Sequence, residues 1–151
     1  MGVERLAMDD LGTCAAVRYA NELHAAVERC AIGLGWPLVL SGGNVYLPVG
    51  RGVIGVAMAA VFASRVEVGG GPVLAYPGRV ETWVVLVDQP EVGNLRVPPN
   101  AVLVDRPGYL ALPPSHTPGG PVRWVCPPRT DRRVLPSFAS VYEAIWRAAP
   151  A

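Results

Sequence analysis

The sequence predicts an α+β fold: a single compact domain with a mainly antiparallel sheet, a helix at its N-terminal end and another at its C-terminal end. Three observations carry this. Residues 13–34 and 137–146 repeat apolar side chains at helical spacing. Between them, short apolar runs alternate with turn-forming breaks, and the 17 glycines and 16 prolines imply many short elements. The chain has 151 residues, 51% hydrophobic and 17% charged, which suits one domain with a real core. Residues 1–12 read as a flexible leader and 13–151 as the domain.

Thr13 can cap the first helix. Its apolar stripe is Ala16, Val17, Ala20, Leu23, Ala26, Val27, Cys30 and Ala31, and Gly33 and Gly35 stop it near Leu34. His24 borders that stripe and reads as a surface residue. Residues 36–40 predict a short strand, Ser41-Gly42-Gly43-Asn44 a turn, and residues 45–49 a second strand whose Pro48 suggests an edge or a strand end. Gly50-Arg51-Gly52 predicts a tight turn. Residues 53–56 read as strand and 57–66 as helix, the assignment least constrained by pattern because short apolar runs suit both. Strands follow at 73–76, 81–87 and 101–104, with turns at Pro77-Gly78 and Pro98-Pro99-Asn100. Ser137 can cap a last helix that presents Phe138, Val141, Tyr142, Ile145 and Trp146 to the sheet.

Net charge is +1, so bulk electrostatics make no case for nucleic acid. All 13 cations are arginines. The cluster Arg129, Arg132 and Arg133 reads first as solvated surface. Three cysteines, Cys14, Cys30 and Cys126, without a CxxC spacing argue against a disulfide framework or a zinc site. No apolar run reaches the roughly 20 residues needed to span a bilayer, and the N-terminal residues lack a signal-peptide pattern. The expectation is a cytoplasmic protein with no membrane partner and no bound cofactor.

The stretch from Gly108 to Val125 organises the rest. It predicts two short strands, with Tyr109 and Ala111 on one face of the first and Leu110 and Leu112 on the other. The connection starts Pro113-Pro114-Ser115-His116 and turns at Gly119-Gly120. It is either a device that aims Ser115 and His116 or a plain hairpin. Gly108-Tyr109-Leu110-Ala111-Leu112-Pro113-Pro114-Ser115, followed by Pro118-Gly119-Gly120 and Arg123-Trp124, resembles the late motif of the bifunctional DNA primase–polymerase (prim-pol) domain, of the archaeo-eukaryotic primase superfamily. Gly35-Trp36-Pro37-Leu38-Val39 and Leu47-Pro48-Val49-Gly50-Arg51-Gly52 are similar to earlier blocks of the same family. The resemblance spans about residues 13–128 and implies a primase–polymerase-like sheet.

It also implies two metal ions held by a pair of carboxylates soon after Gly50, with a third acidic residue before the Gly-Tyr strand. Hard cations need such oxygen donors. The matching positions here are Val53, Ile54, Gly55, Val56 and Ala57, and no carboxylate occurs between Asn44 and Ser64. The family's His within a Gly-rich turn is also missing from Pro77-Gly78-Arg79-Val80-Glu81. Asp105 alone matches the last acidic position. The chain therefore reads as a small, degenerate relative that does not join nucleotides and holds no metal.

Three functions remain open. One is a non-catalytic binding or regulatory module for nucleic acid or a nucleotide-like ligand, with Arg51, Arg79, Trp83, Arg106, Tyr109, Arg123 and Trp124 as contacts. Another is a cleft turned to a small-molecule reaction, with His116 as base, Asp105 as its orienting carboxylate, Ser115 as a further candidate, and Asp88 and Glu81 as polar neighbours. The last is a homodimeric scaffold that associates through an apolar strand or the Ala-rich residues 53–63.

Overall fold

Gly42 and Gly43, both at positive φ (58° and 78°), close a two-residue turn between β1 (Val39–Ser41) and β2 (Asn44–Val49). A computed structural model of the protein describes residues 18–32, 34–91, 95–105, 108–129 and 135–149. The predicted leader, the Thr13 cap, Cys14, Arg106, Arg132 and Arg133 lie outside these. Within them the α+β prediction holds, with three helices and ten strands whose ladders are all antiparallel. Residues 18–32 form α1, which ends in a π-helical turn, Glu28–Ile32.

β1, β2 and β7 (Gly108–Leu112) make a small sheet in the order β1-β2-β7. A larger sheet has the order β10-β4-β5-β3-β6, from β3 (Val53–Ala59), β4 (Val73–Tyr76), β5 (Thr82–Asp88), β6 (Val102–Val104) and β10 (Arg123–Cys126). β8 (His116–Thr117) and β9 (Gly120–Pro121) form a separate hairpin.

Burial follows the strand period of two. Val45, Leu47 and Val49 of β2 face inward, while Asn44, Tyr46 and Pro48 face out. The inward set meets Val84 and Leu86 of β5 and Leu74 of β4, so the two sheets enclose one core, closed by Leu23, Val27 and Cys30 of α1. The other face of the large sheet presents Ile54, Val56, Val85 and Val87 to a second core. Ala63 of α2 (Ala60–Ala63) and Val141, Ala144 and Ile145 of α3 (Phe138–Ala148) complete it. Ser137 caps α3 as predicted, its Oγ accepting from the Ser140 N–H at 3.1 Å.

Several sequence expectations are corrected. The strand predicted over 53–56 runs to Ala59, and the helix predicted over 57–66 shrinks to Ala60–Ala63. Ala57, Met58 and Ala59 are held extended by Val84, Trp83 and Thr82 across the ladder, which overrides alanine's helical propensity. The strand predicted over 36–40 is shifted to Val39–Ser41. Pro48 does not mark a sheet edge, because β2 is the middle strand, but it does fall at the strand's end, one residue before Val49. β1 pairs only as far as Tyr46, so Pro48 needs no donor on that side. The two strands around the Pro/Gly connection do not form a hairpin with each other: β7 pairs with β2, and β10 with β4. Trp146, predicted for the apolar face of α3, is half exposed (50%).

Burial pushes the Cys30 thiol up to about 11, with the Arg29 charge opposing. A thiol so protonated and covered should be alkylated by iodoacetamide at neutral pH far more slowly than half-buried Cys126. Peptide mass mapping of the folded chain reads both rates. Prompt labelling of Cys30 would contradict its burial.

Candidate functional site

The Pro/Gly connection that the sequence singles out is stitched to the start of β2 by side chains. Ser115 is fully enclosed. The Val45 N–H donates to Ser115 Oγ at 2.8 Å, and the Ser115 hydroxyl donates back to the Val45 carbonyl at 3.0 Å. Both hydrogen-bonding directions of this hydroxyl are thus taken by one residue's backbone, at the point where the β2–β7 ladder ends. Asn44 continues the pattern with its amide. Its Nδ2 donates to the His116 carbonyl at 3.2 Å, and its Oδ1 accepts from the His116 N–H at 3.1 Å. Ser115 and Asn44 together act as one more rung of sheet made from side chains.

His116 is exposed, and its ring sits 5.9 Å from that of Tyr19 on α1. The Tyr19 hydroxyl donates to the Gly43 carbonyl and, at 3.3 Å, to Asn44 Oδ1. No hydrogen bond joins the His116 ring to a carboxylate among the described residues. Asp105 is exposed at the end of β6, and its carbonyl lies 2.7 Å from where a Cβ on Gly108 would stand. Asp88 ends β5, and its N–H donates to the Pro136 carbonyl at 3.0 Å. No group of three or more His, Cys, Asp or Glu side chains suited to a metal occurs among the described residues.

The candidate binding residues fall into separate groups. Arg123, Ala75 and Trp83 share one register position across β10, β4 and β5. Arg123 pairs with Glu81, which also accepts from Trp83 Nε1 at 3.2 Å. These two hydrogen bonds hold the Glu81 carboxyl below the usual range, Arg123 contributing most. Arg79 lies exposed two residues before Glu81. Trp124 points the other way, packing on the core between the sheets and lining a groove with Pro113, Pro114 and Glu22. Arg51 is exposed in the Gly50–Gly52 turn, next to the Val49↔Gly108 end of the small sheet.

Tyr109 belongs to the outer face of that small sheet. It stands opposite Pro48, and Tyr46 stands opposite Ala111 and Val39, so all share one side. Tyr109 is 64% exposed, and with Val39, Ser41 and Tyr46 it lines an open cavity of about 320 Å³. Asn44 lies on the same face, and its Nδ2 donates to the Tyr46 hydroxyl at 3.3 Å. Three of the chain's five tyrosines therefore converge on this face and its hairpin end, with His116 beside them. Sequence reasoning named only Tyr109 and His116. Tyr46 and Asn44 were legible in the alternation of β2, whose aliphatic residues all fall on the other side. Tyr19 carried no local signal, since α1 meets the hairpin only through tertiary packing.

Compared with known proteins, the chain matches no family model, no curated protein and no solved structure. No helix among the described residues is long and apolar enough to cross a membrane.

Proposed function

We propose that this chain is a non-catalytic module that binds single-stranded nucleic acid on the tyrosine-lined outer face of its small sheet. The observation that carries the reading is the placement of Tyr46 and Tyr109 on one open face, with Tyr19 and His116 at its hairpin end. Rings on a sheet surface offer unpaired bases a stacking platform, and each stacked base contributes about 1–3 kcal/mol. Arg51 adjoins the Tyr109 end and supplies charge for a phosphate. Arg123, a candidate that does lie in a strand, is paired with Glu81, so stacking dominates.

The non-catalytic half of the proposal rests on the primase–polymerase resemblance. The positions where that family carries its metal carboxylates fall on β3, and Val53, Ile54, Gly55 and Val56 there are buried within the two cores. The small-molecule enzyme reading has less support, because Ser115 is committed to Val45 and no carboxylate among the described residues orients His116.

Fluorescence anisotropy with a labelled single-stranded oligonucleotide at low salt is the test. Wild type should bind, and Tyr109→Ala should lose about 1–3 kcal/mol, roughly five- to 150-fold in affinity. Absence of binding at low salt ends the nucleic-acid reading and leaves the face to a protein partner. In a separate assay with magnesium or manganese, no primer extension is expected. Template-dependent incorporation that Asp105→Ala abolishes would overturn the non-catalytic half alone.

A further inference from the structure

β1 is the outer strand of the small sheet, and all three of its residues are exposed, with Val39 at 41% and Leu40 at 57%. Sheet edges in natural proteins are usually guarded by shortness, charge, proline, a bulge or a covering element, and β1 has three residues. Residues 38–43, Leu-Val-Leu-Ser-Gly-Gly, carry no charge and no proline. The β1–β2 register shows which backbone groups look outward. In a two-residue hairpin the closing pair, here Ser41↔Asn44, exchanges hydrogen bonds, and the next pair, Leu40↔Val45, does not. Leu40 therefore turns both its N–H and its C=O to the free edge. Val45 agrees with this phase, since its own N–H and C=O are met by Ser115 on the side away from β1.

We propose that β1 pairs antiparallel with β1 of a second copy of this chain, Leu40 against Leu40, across a two-fold axis. That arrangement is self-complementary: the donor and acceptor of one Leu40 meet the acceptor and donor of the other. Val39 of each copy then stands opposite Ser41 of the other, with no like charges brought together. The Leu40 side chain shares the inner face with Val45 but overhangs the core, and its twin across the axis covers it. The axis stands perpendicular to the sheet, so two three-stranded sheets become one six-stranded sheet with both tyrosine faces on the same side. The scaffold's other offered contact, the Ala-rich residues 53–63, cannot serve as an edge, because β3 has β5 on one side and β6 on the other.

A three-residue contact is small, so the dimer should be weak and concentration-dependent. Sedimentation velocity on the full chain over a concentration series should show a reversible monomer–dimer equilibrium. Leu40→Lys should abolish it by placing like charges face to face. Leu40→Pro should abolish it by removing the outward donor, which has no acceptor among the described residues. Circular dichroism melts of both variants should match wild type, because neither change touches a bond inside the monomer. A wild type that stays monomeric at the highest concentration reached would overturn the proposal and leave the edge to an extended segment of another protein. A dimer that both folded variants retain would overturn it as well.

Discussion

Ser115→Ala should lower the unfolding free energy by about 2–4 kcal/mol, since a buried backbone donor or acceptor left without a partner costs about 1–3 kcal/mol. The substitution strands the Val45 N–H and takes one donor from the Val45 C=O, in a site with no solvent exposure. In a chain of this length each kcal/mol corresponds to about 2–4 °C in Tm, so the melting point should fall by about 10 °C. The loss should be local in origin and global in effect, because Val45 lies in the core between the sheets. Urea titration and a thermal melt read both quantities. A loss below about 0.5 kcal/mol, the range of a neutral surface change, would show that the hydroxyl is not the missing rung described here.

Gly55→Val should be comparably harmful for the opposite reason. Gly55 lies in the middle of β3, facing Leu110 of the small sheet. A Cβ there would stand 2.7 Å from Val84 Cγ1 and 3.2 Å from Leu110 Cδ1. Neither neighbour can yield freely: Val84 is β-branched on the adjacent strand, and Leu110 belongs to the facing sheet. Overpacking a close-packed core costs about 1–3 kcal/mol, and valine's two methyls put it at about 3 kcal/mol or more. Gly55→Ala should cost less, about 1–2 kcal/mol, because alanine recovers some of the strand stability that glycine forfeits. A Gly55→Val protein as stable as wild type would mean that the sheets can part at this point. The same crowding bears on the primase–polymerase resemblance. A carboxylate at this position would have no water and no room, so position 55 could not take a metal ligand by substitution alone.

The central stretch illustrates what the sequence disclosed and what it withheld. Its strands and its turn were legible, and Ser115 and His116 stood out in it as candidates. Their meaning was not legible. Ser115 looked like a residue aimed at a substrate, yet its partner is 70 positions away, and no local pattern announces a hydroxyl that replaces a ladder bond. The candidate arginines and aromatics were legible as chemistry but not as a group. Arg123 and Trp83 meet at Glu81 because three strands align in register, while Trp124, the very next residue after Arg123, faces the opposite core. Tyr109 stood in the sequence as one aromatic among several, and β2 supplied the neighbour that turns it into part of a face.

The amino-acid sequence by itself determined the punctuation of this chain: where strands stop at glycine and proline, where Ser137 starts a helix, and which side of β2 is aliphatic. Those features depend on backbone freedom and side-chain spacing within a few residues. Only the tertiary structure decided that Ala57–Ala59 are strand, that β7 and β10 part into different sheets, and that Tyr19 reaches the β1–β2 turn. Each of these depends on groups brought together from distant parts of the chain, where packing and hydrogen-bond satisfaction outweigh local preference.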